Sequence, residues 1–188
     1  MTSYCDFARG HPVHGPYHDR EYGFPIDDER LLFERLLLEI NQAGLNWELV
    51  LNKREGFRRA FCGYDVDRVA SFGEQDRARL LADPGIVRNR LKVDAAITNA
   101  GVIRAMRSTH GGFAGWLRAH HPLSKDDWVK LFRRTLRFTG GEITGQFLMS
   151  IGYLPSPHRP ECPVYAEIVR LAPPWLDVEP SFWAQGKL

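Results

Sequence analysis

The chain lacks any apolar run approaching the roughly 18 residues needed to cross a bilayer. Its first residues, Met1-Thr2-Ser3-Tyr4-Cys5-Asp6, carry neither the basic start nor the apolar stretch of a secretory signal. Both absences point to a cytoplasmic protein with no membrane association. Cysteine is scarce and odd in number, three in 188 residues. That excludes a disulfide framework and leaves metal ligation or simple burial for Cys5, Cys62 and Cys162. Alternating apolar and polar stretches are also missing, as are internal repeats and low-complexity segments, so an all-α fold is expected. Apolar material is not lacking. Hydrophobic residues make up 44% of the chain and aromatics 12%, enough for a core without staples, and residues 1–188 are expected to form a single domain acting as a monomer.

The net charge of +2 conceals an uneven distribution. The first fifty residues hold four Lys/Arg against nine Asp/Glu, residues 51–137 eighteen against nine, and the remainder three against five. A basic middle segment suits a polyanion such as DNA, although a solvated helical surface has the same composition.

Residues 1–27, rich in His, Pro, Gly and Tyr, read as irregular. A helix then starts at an Asp27 or Asp28 cap and runs to about Ala43, where Gly44 stops it. Its residues Leu32, Phe33, Leu36, Leu37 and Ile40 form one broad apolar face. Further helices are predicted over Trp47–Arg54, Tyr64–Val69, Glu74–Leu81, Arg90–Met106, a Ser124-capped stretch through Arg134, and Glu142–Ile151. A break is predicted at Glu55-Gly56-Phe57. The tail beyond Cys162, with Pro173-Pro174, Trp175 and Trp183, is expected to lie on the surface or fray.

Three constellations carry chemistry. Cys5 and His18 near one end, with His158 and Cys162 near the other, make a Cys2His2 set suited to tetrahedral zinc; His11 or His14 could replace His18 on spacing alone. Four protein ligands leave no open position, so such an ion would be structural. Cys62, between Phe61 and Gly63, reads as a buried thiol. The turn Asp83-Pro84-Gly85-Ile86-Val87-Arg88-Asn89-Arg90 joins two helices. Gly85 can take a positive φ there, and the helix start offers unpaired N–H groups with Arg88, Arg90 and Lys92 nearby, a cradle for phosphate. A plain helix-turn-helix connection fits the same residues. Glu39 falls at the rim of the apolar stripe. Taken from the helix alone, it favours an exposed pair with Arg35. Tyr17, Tyr22 and Trp47 flank it in sequence and suit base stacking or core packing.

Together these segments resemble the 3-methyladenine DNA glycosylase I family. The resemblance runs through Tyr17-His18-Asp19-x-Glu21-Tyr22-Gly23, Leu38-Glu39-x-x-Gln42-Ala43-Gly44-Leu45-x-Trp47, Lys53-Arg54-Glu55, Gly85-Ile86-Val87-Arg88-x-Arg90-x-Lys92 and His158-x3-Cys162, covering about residues 4–162. It implies a helix-hairpin-helix glycosylase fold with a structural zinc clip on Cys5, His18, His158 and Cys162. It further implies a base-pocket carboxylate at Glu39, base-holding aromatics at Tyr17 and Trp47, and a wedge into the gap left by the flipped base at Gly44-Leu45; Tyr22 is a further candidate for holding the base. Phosphate contacts are implied at Gly85, Val87, Arg88, Arg90 and Lys92. The implied activity is hydrolysis of the N-glycosidic bond of alkylated purines, 3-methyladenine above all, in double-stranded DNA. With no Schiff-base lysine within the hairpin, a monofunctional enzyme is expected. Three departures touch the pocket: Tyr22 where the family has Trp, His14 where it has Tyr, and Gly145 where it has Tyr. They keep open a different lesion preference, or a damage-binding protein without catalysis.

Overall fold

A computed structural model describes residues 3–155 and 157–184, and every regular element among them is a helix, with no strand. Two short helices open the chain, α1 (Tyr4–Ala8) and α2 (His14–Arg20), where irregular structure was expected. Caps explain them. Ser3 Oγ accepts the Asp6 N–H, and the His11 ring Nδ1 accepts the N–H groups of Val13 and His14 at 3.2 Å. Pro16 falls in the first turn of α2, where a missing N–H costs nothing. The aromatic and proline content had masked both starts.

The long helix α3 (Glu29–Gln42) begins where predicted, with Asp28 Oδ1 accepting from Leu31 N–H at 3.0 Å. Ten of its fourteen residues are buried, from Leu32 to Asn41, so it is the central strut rather than a one-faced surface helix. Next come α4 (Trp47–Asn52), capped by Asn46, and α5 (Arg54–Ala60). The break between them falls at Lys53 and not at Glu55-Gly56-Phe57. Gly56 lies inside α5 because another segment packs there: a Cβ at Gly56 would overlap the carbonyl oxygen of Gly85. The predicted helix at Tyr64–Val69 shortens to α6 (Val66–Ala70), with Asp65 as its cap.

A pair of helices, α7 (Glu74–Ala82) and α8 (Arg90–His110), enclose the turn at 83–89. Asn89 caps α8, and Gly111 ends it in the left-handed conformation, one turn later than predicted. An unpredicted helix follows, α9 (Phe113–His120), burying Phe113, Trp116 and Leu117 at helical spacing. Then come α10 (Lys125–Thr135), with its Ser124 cap, and α11 (Gly141–Ser150). The tail does not fray over its described length. It forms α12 (Pro163–Arg170) and a last turn, α13 (Pro180–Ala184). Trp175 N–H donates to the Gly152 carbonyl at 3.1 Å, and Trp183 Nε1–H to the Trp175 carbonyl at 3.2 Å.

One apolar core runs through α3, α5, α6, α8, α9, α10 and α11. A smaller cluster of Cys5, Cys162, Val164 and Ile168 joins the two ends of the chain. Among the described residues, no helix is long and apolar enough to cross a membrane.

Candidate functional site

Where α1, α2, α3 and α4 meet the start of α11, they leave a cavity of about 650 Å³ walled by Tyr4, Tyr17, Tyr22, Glu39, Trp47 and Gln146. Glu39 is 4% exposed. The exposed pair with Arg35 does not form. Arg35 is itself buried and donates to Glu21 Oε2 at 3.1 Å, while its guanidinium lies 4.8 Å from the centroid of the Tyr17 ring. Arg54 completes this network, donating to both oxygens of Glu21 at 2.7 and 2.8 Å and to Glu34 Oε1 at 2.8 Å. Two acids therefore balance two guanidinium groups, and Glu39 is left out. Burial would raise the Glu21 carboxyl, but the two guanidinium groups hold it below its ordinary value. Burial dominates at Glu39, with only weak relief from the Arg35 charge, and pushes its carboxyl up to about 8.

Tyr17 meets Trp47 edge to face and Tyr22 at a tilt of 34°. Tyr17 and Trp47 have ring centroids 5.1 Å apart at 62°, and Tyr17 and Tyr22 lie 5.7 Å apart. Tyr22 donates its hydroxyl to Gln146 Oε1 at 3.3 Å. The Tyr17 hydroxyl is buried and has no partner among the described residues. A buried hydroxyl and a buried, mostly neutral carboxyl facing one space make a site for a flat group with hydrogen-bonding edges.

The departures are distributed unevenly. Tyr22 does line the cavity. His14 is buried behind Tyr4, whose hydroxyl lies 3.2 Å from its Nδ1. Gly145 is buried inside α11, where a Cβ would stand 3.0 Å from Lys125 Cε, so a large side chain would collide with that lysine. Tyr4 and Gln146 are wall residues that sequence reasoning missed. Tyr4 lay in a stretch read as irregular, and Gln146 in a segment that matches the family poorly.

Gly44 sits at the cavity mouth with φ +76°, and Leu45 beside it is an exposed large apolar side chain. The 83–89 turn is built differently from expectation. Gly85 does not adopt positive φ. A Cβ there would stand 2.9 Å from Asp83 Oδ1, the oxygen that holds the Gly85 N–H at 2.7 Å. Lys53 Nζ fastens the turn through the Pro84 carbonyl at 2.6 Å. The Lys92 N–H is committed to Asn89, so the turn amides without a partner among the described residues are those of Val87 and Arg88. Arg88 and Arg90 are exposed. Lys92 is not available to phosphate: it is buried, and its Nζ donates to the carbonyls of Asn41 at 2.9 Å and Ala43 at 2.7 Å, satisfying the end of α3.

Cys5, His18, His158 and Cys162 come together, all buried, with their ligand atoms within 4.8 Å of one another. Such a cluster can hold a metal ion. His11 and His14 are not part of it, and Cys62 is half-exposed rather than buried.

Residues 7–130 match the methyladenine glycosylase family. The chain belongs to that family. A methyladenine glycosylase of Haemophilus influenzae, named DNA-3-methyladenine glycosylase, is 30% identical over 87% of this chain and 98% of its own length. DNA-3-methyladenine glycosylase 1 of Escherichia coli K12 is 45% identical over a shorter stretch, spanning 51% of each chain. Among solved structures, 3-methyladenine DNA glycosylase I of Staphylococcus aureus superposes with a TM-score of 0.78 at 28% identity, covering 86% of this chain and 95% of that one. A variant of 3-methyladenine DNA glycosylase I in complex with 3-methyladenine gives a TM-score of 0.79 at 27% identity, covering 87% and 97%. The all-helical fold of this methyladenine glycosylase is thus the fold of those enzymes.

Proposed function

We propose that this methyladenine glycosylase hydrolyses the N-glycosidic bond of 3-methyladenine in duplex DNA, with Glu39 reading the base and stabilising the transition state. The observation that carries the reading is a carboxyl buried without an ion pair in an aromatic-walled cavity. The lesion must leave the stack to reach it. An N3-alkylated adenine still joined to its sugar is cationic. A cavity with tyrosine and tryptophan faces and a carboxyl that ionises on its arrival selects it over neutral adenine. As the bond between base nitrogen and C1′ breaks, its electron pair neutralises the departing purine and positive charge moves to the sugar. Glu39 as carboxylate stabilises that charge, water adds to C1′, and its proton passes to solvent. Tyr17, Tyr22 and Trp47 hold the base. Gly44-Leu45 fills the gap in the duplex, and the amides of Val87 and Arg88, with the side chains of Arg88 and Arg90, grip phosphate. Lys92, held by two carbonyls, is not a nucleophile, which supports a monofunctional enzyme.

We assign structural zinc to the Cys/His cluster. Cys5 Sγ lies 3.7 Å from His158 Nδ1, and Cys162 Sγ lies 3.7 Å from the same atom and 3.8 Å from His18 Nε2. Ordinary zinc bond lengths in a tetrahedron separate a sulfur and a nitrogen ligand by about 3.6 Å and two sulfurs by about 3.8 Å. Each imidazole has its other nitrogen engaged. His18 Nδ1 is 2.7 Å from Asp19 Oδ1, and His158 Nε2–H donates to the Tyr22 carbonyl at 2.7 Å, so both rings turn the right nitrogen inward. When bound, the ion supplies a cross-link and no reaction chemistry.

The deciding experiment incubates wild type and Glu39→Gln with methylated duplex DNA and identifies the released bases by mass spectrometry. Wild type is expected to release 3-methyladenine and leave the phosphodiester chain uncut, and the variant to be slower by about a hundredfold or more. Release of other bases only would overturn the substrate, and undiminished release by Glu39→Gln would overturn the role of Glu39. Tight binding of damaged duplex with no base released would establish the non-catalytic reading instead.

A further inference from the structure

The pocket wall contributed by α1 has no role in the mechanism above, and its geometry is specific. Tyr4 is the only residue of α1 that lines the cavity. Its ring stands edge-on to Tyr22 at 5.5 Å and 85°, and edge-on to His18 at 5.7 Å and 66°. Contacts on two sides limit how far the phenol can swing. Its hydroxyl lies 3.2 Å from His14 Nδ1. His14 is in turn fixed. It is buried, with the rings of Phe7 and His11 nearly perpendicular to it at 4.9 and 4.8 Å.

We propose that Tyr4 contacts the flipped base directly and that His14 acts through it, accepting a hydrogen bond from the phenol O–H so that the lone pairs of the Tyr4 oxygen face the pocket. The inference rests on the cavity being the base pocket. A phenol can donate or accept, and a base pocket that leaves this open discriminates poorly. With Nδ1 of a neutral imidazole as acceptor, the phenol O–H is used up in the wall and only lone pairs remain for the ligand. A cationic alkylpurine is rich in donors at its amino edge and electron-poor at its ring nitrogens, so a wall that only accepts favours it. His14 is therefore a positioning residue and Tyr4 a specificity-determining one. The same arrangement accounts for a histidine at position 14: it supports the wall from behind, and Tyr4 supplies the face.

The test is a double-mutant cycle on full-length protein, with 3-methyladenine free base as probe and calorimetric or fluorescence titration as readout. Tyr4→Phe removes only the hydroxyl, and His14→Phe keeps a ring but removes the acceptor. Each is expected to weaken binding about three- to tenfold, the range of one neutral hydrogen bond. The double variant is expected to bind no worse than Tyr4→Phe alone, because His14 works through the hydroxyl. Metal content and thermal midpoint are expected to stay at wild-type values in Tyr4→Phe. Unchanged binding by Tyr4→Phe overturns the contact. Losses that multiply in the double variant overturn the His14 relay. Weakened binding accompanied by lost metal or a lowered midpoint assigns Tyr4 to packing and overturns the contact as well. Failure of wild type itself to bind 3-methyladenine overturns the base-pocket reading and takes this inference with it, whereas a binding wild type beside an indifferent Tyr4→Phe overturns this inference alone.

Discussion

Glu39 shows how far one residue's environment departs from its helix position. On α3 alone it sits at a stripe edge with Arg35 one turn before it, which describes a solvated pair. The fold turns Arg35 toward Glu21 and Tyr17 and leaves Glu39 buried without a cation. The consequence is measurable as stability. A carboxyl raised to about 8 in the folded state, against an ordinary 4.5, retains a proton that the unfolded chain gives up. Folding is therefore favoured below pH 4.5, and that contribution disappears as pH rises through 8. Glu39→Gln has no such loss. Its stability relative to wild type should grow between pH 4.5 and 8 and level off above, by roughly 2–4 kcal/mol for a shift of this size. Denaturant unfolding at pH 5 and pH 8 measures it, and parallel behaviour of the two proteins would show that the folded carboxyl titrates normally. No sequence pattern carries this information, because it depends on which partner Arg35 chooses among groups 14 residues away.

Among the elements, the hairpin between α7 and α8 was legible as a turn and misjudged in its construction. Asp83-Pro84-Gly85 marks the break, and Asn89 marks the start of α8. Gly85 was expected to supply an unusual φ; it instead leaves room for the Asp83 carboxylate, and its carbonyl oxygen packs on Gly56. Gly56 was expected to break a helix and lies within one for the same reason. Gly56 thus answers a contact with a segment far away in sequence, which a single-residue rule cannot see. Gly56→Ala should push the turn off α5, destabilising the protein by about 2–3 kcal/mol. It should also weaken duplex binding under conditions where the variant is still folded, as read by calorimetry and a binding titration. Arg88→Ala and Arg90→Ala should leave the thermal midpoint within about 2 °C. Each should lower affinity for undamaged and damaged duplex alike and reduce the slope of log affinity against log salt by about one. Lys92→Met should behave oppositely, lowering stability by stranding the carbonyls of Asn41 and Ala43 while leaving the salt slope unchanged.

Across the whole molecule, the Cys/His cluster and the aromatic-walled cavity are one construction. Cys5 follows Tyr4, His18 follows Tyr17, and His158 holds the Tyr22 carbonyl, so three of the four cluster residues are attached to the three tyrosines of the cavity wall. The pairing of chain ends was legible because the His158-x3-Cys162 spacing and the lone Cys5 have few other uses. The attachment to the pocket was not, since it appears only when α1, α2 and the 157–162 segment meet. Cys5 and His158 are 153 residues apart, and a cross-link over that span removes several kcal/mol of unfolded-chain entropy, on the order of 5 by loop closure. Cys162→Ser should therefore lose about one equivalent of zinc and melt roughly 10 °C lower. If the clip also shapes the pocket, 3-methyladenine should bind the folded variant more weakly at temperatures well below its midpoint. Holding temperature low and varying only metal content separates the two effects. Weaker binding with secondary structure intact ties the ligands to the tyrosine wall. Unchanged binding would mean that the core of α3 and α8 holds the wall unaided and that the metal contributes only to global stability. An unchanged midpoint after loss of all metal would remove the clip from the stability of the fold altogether.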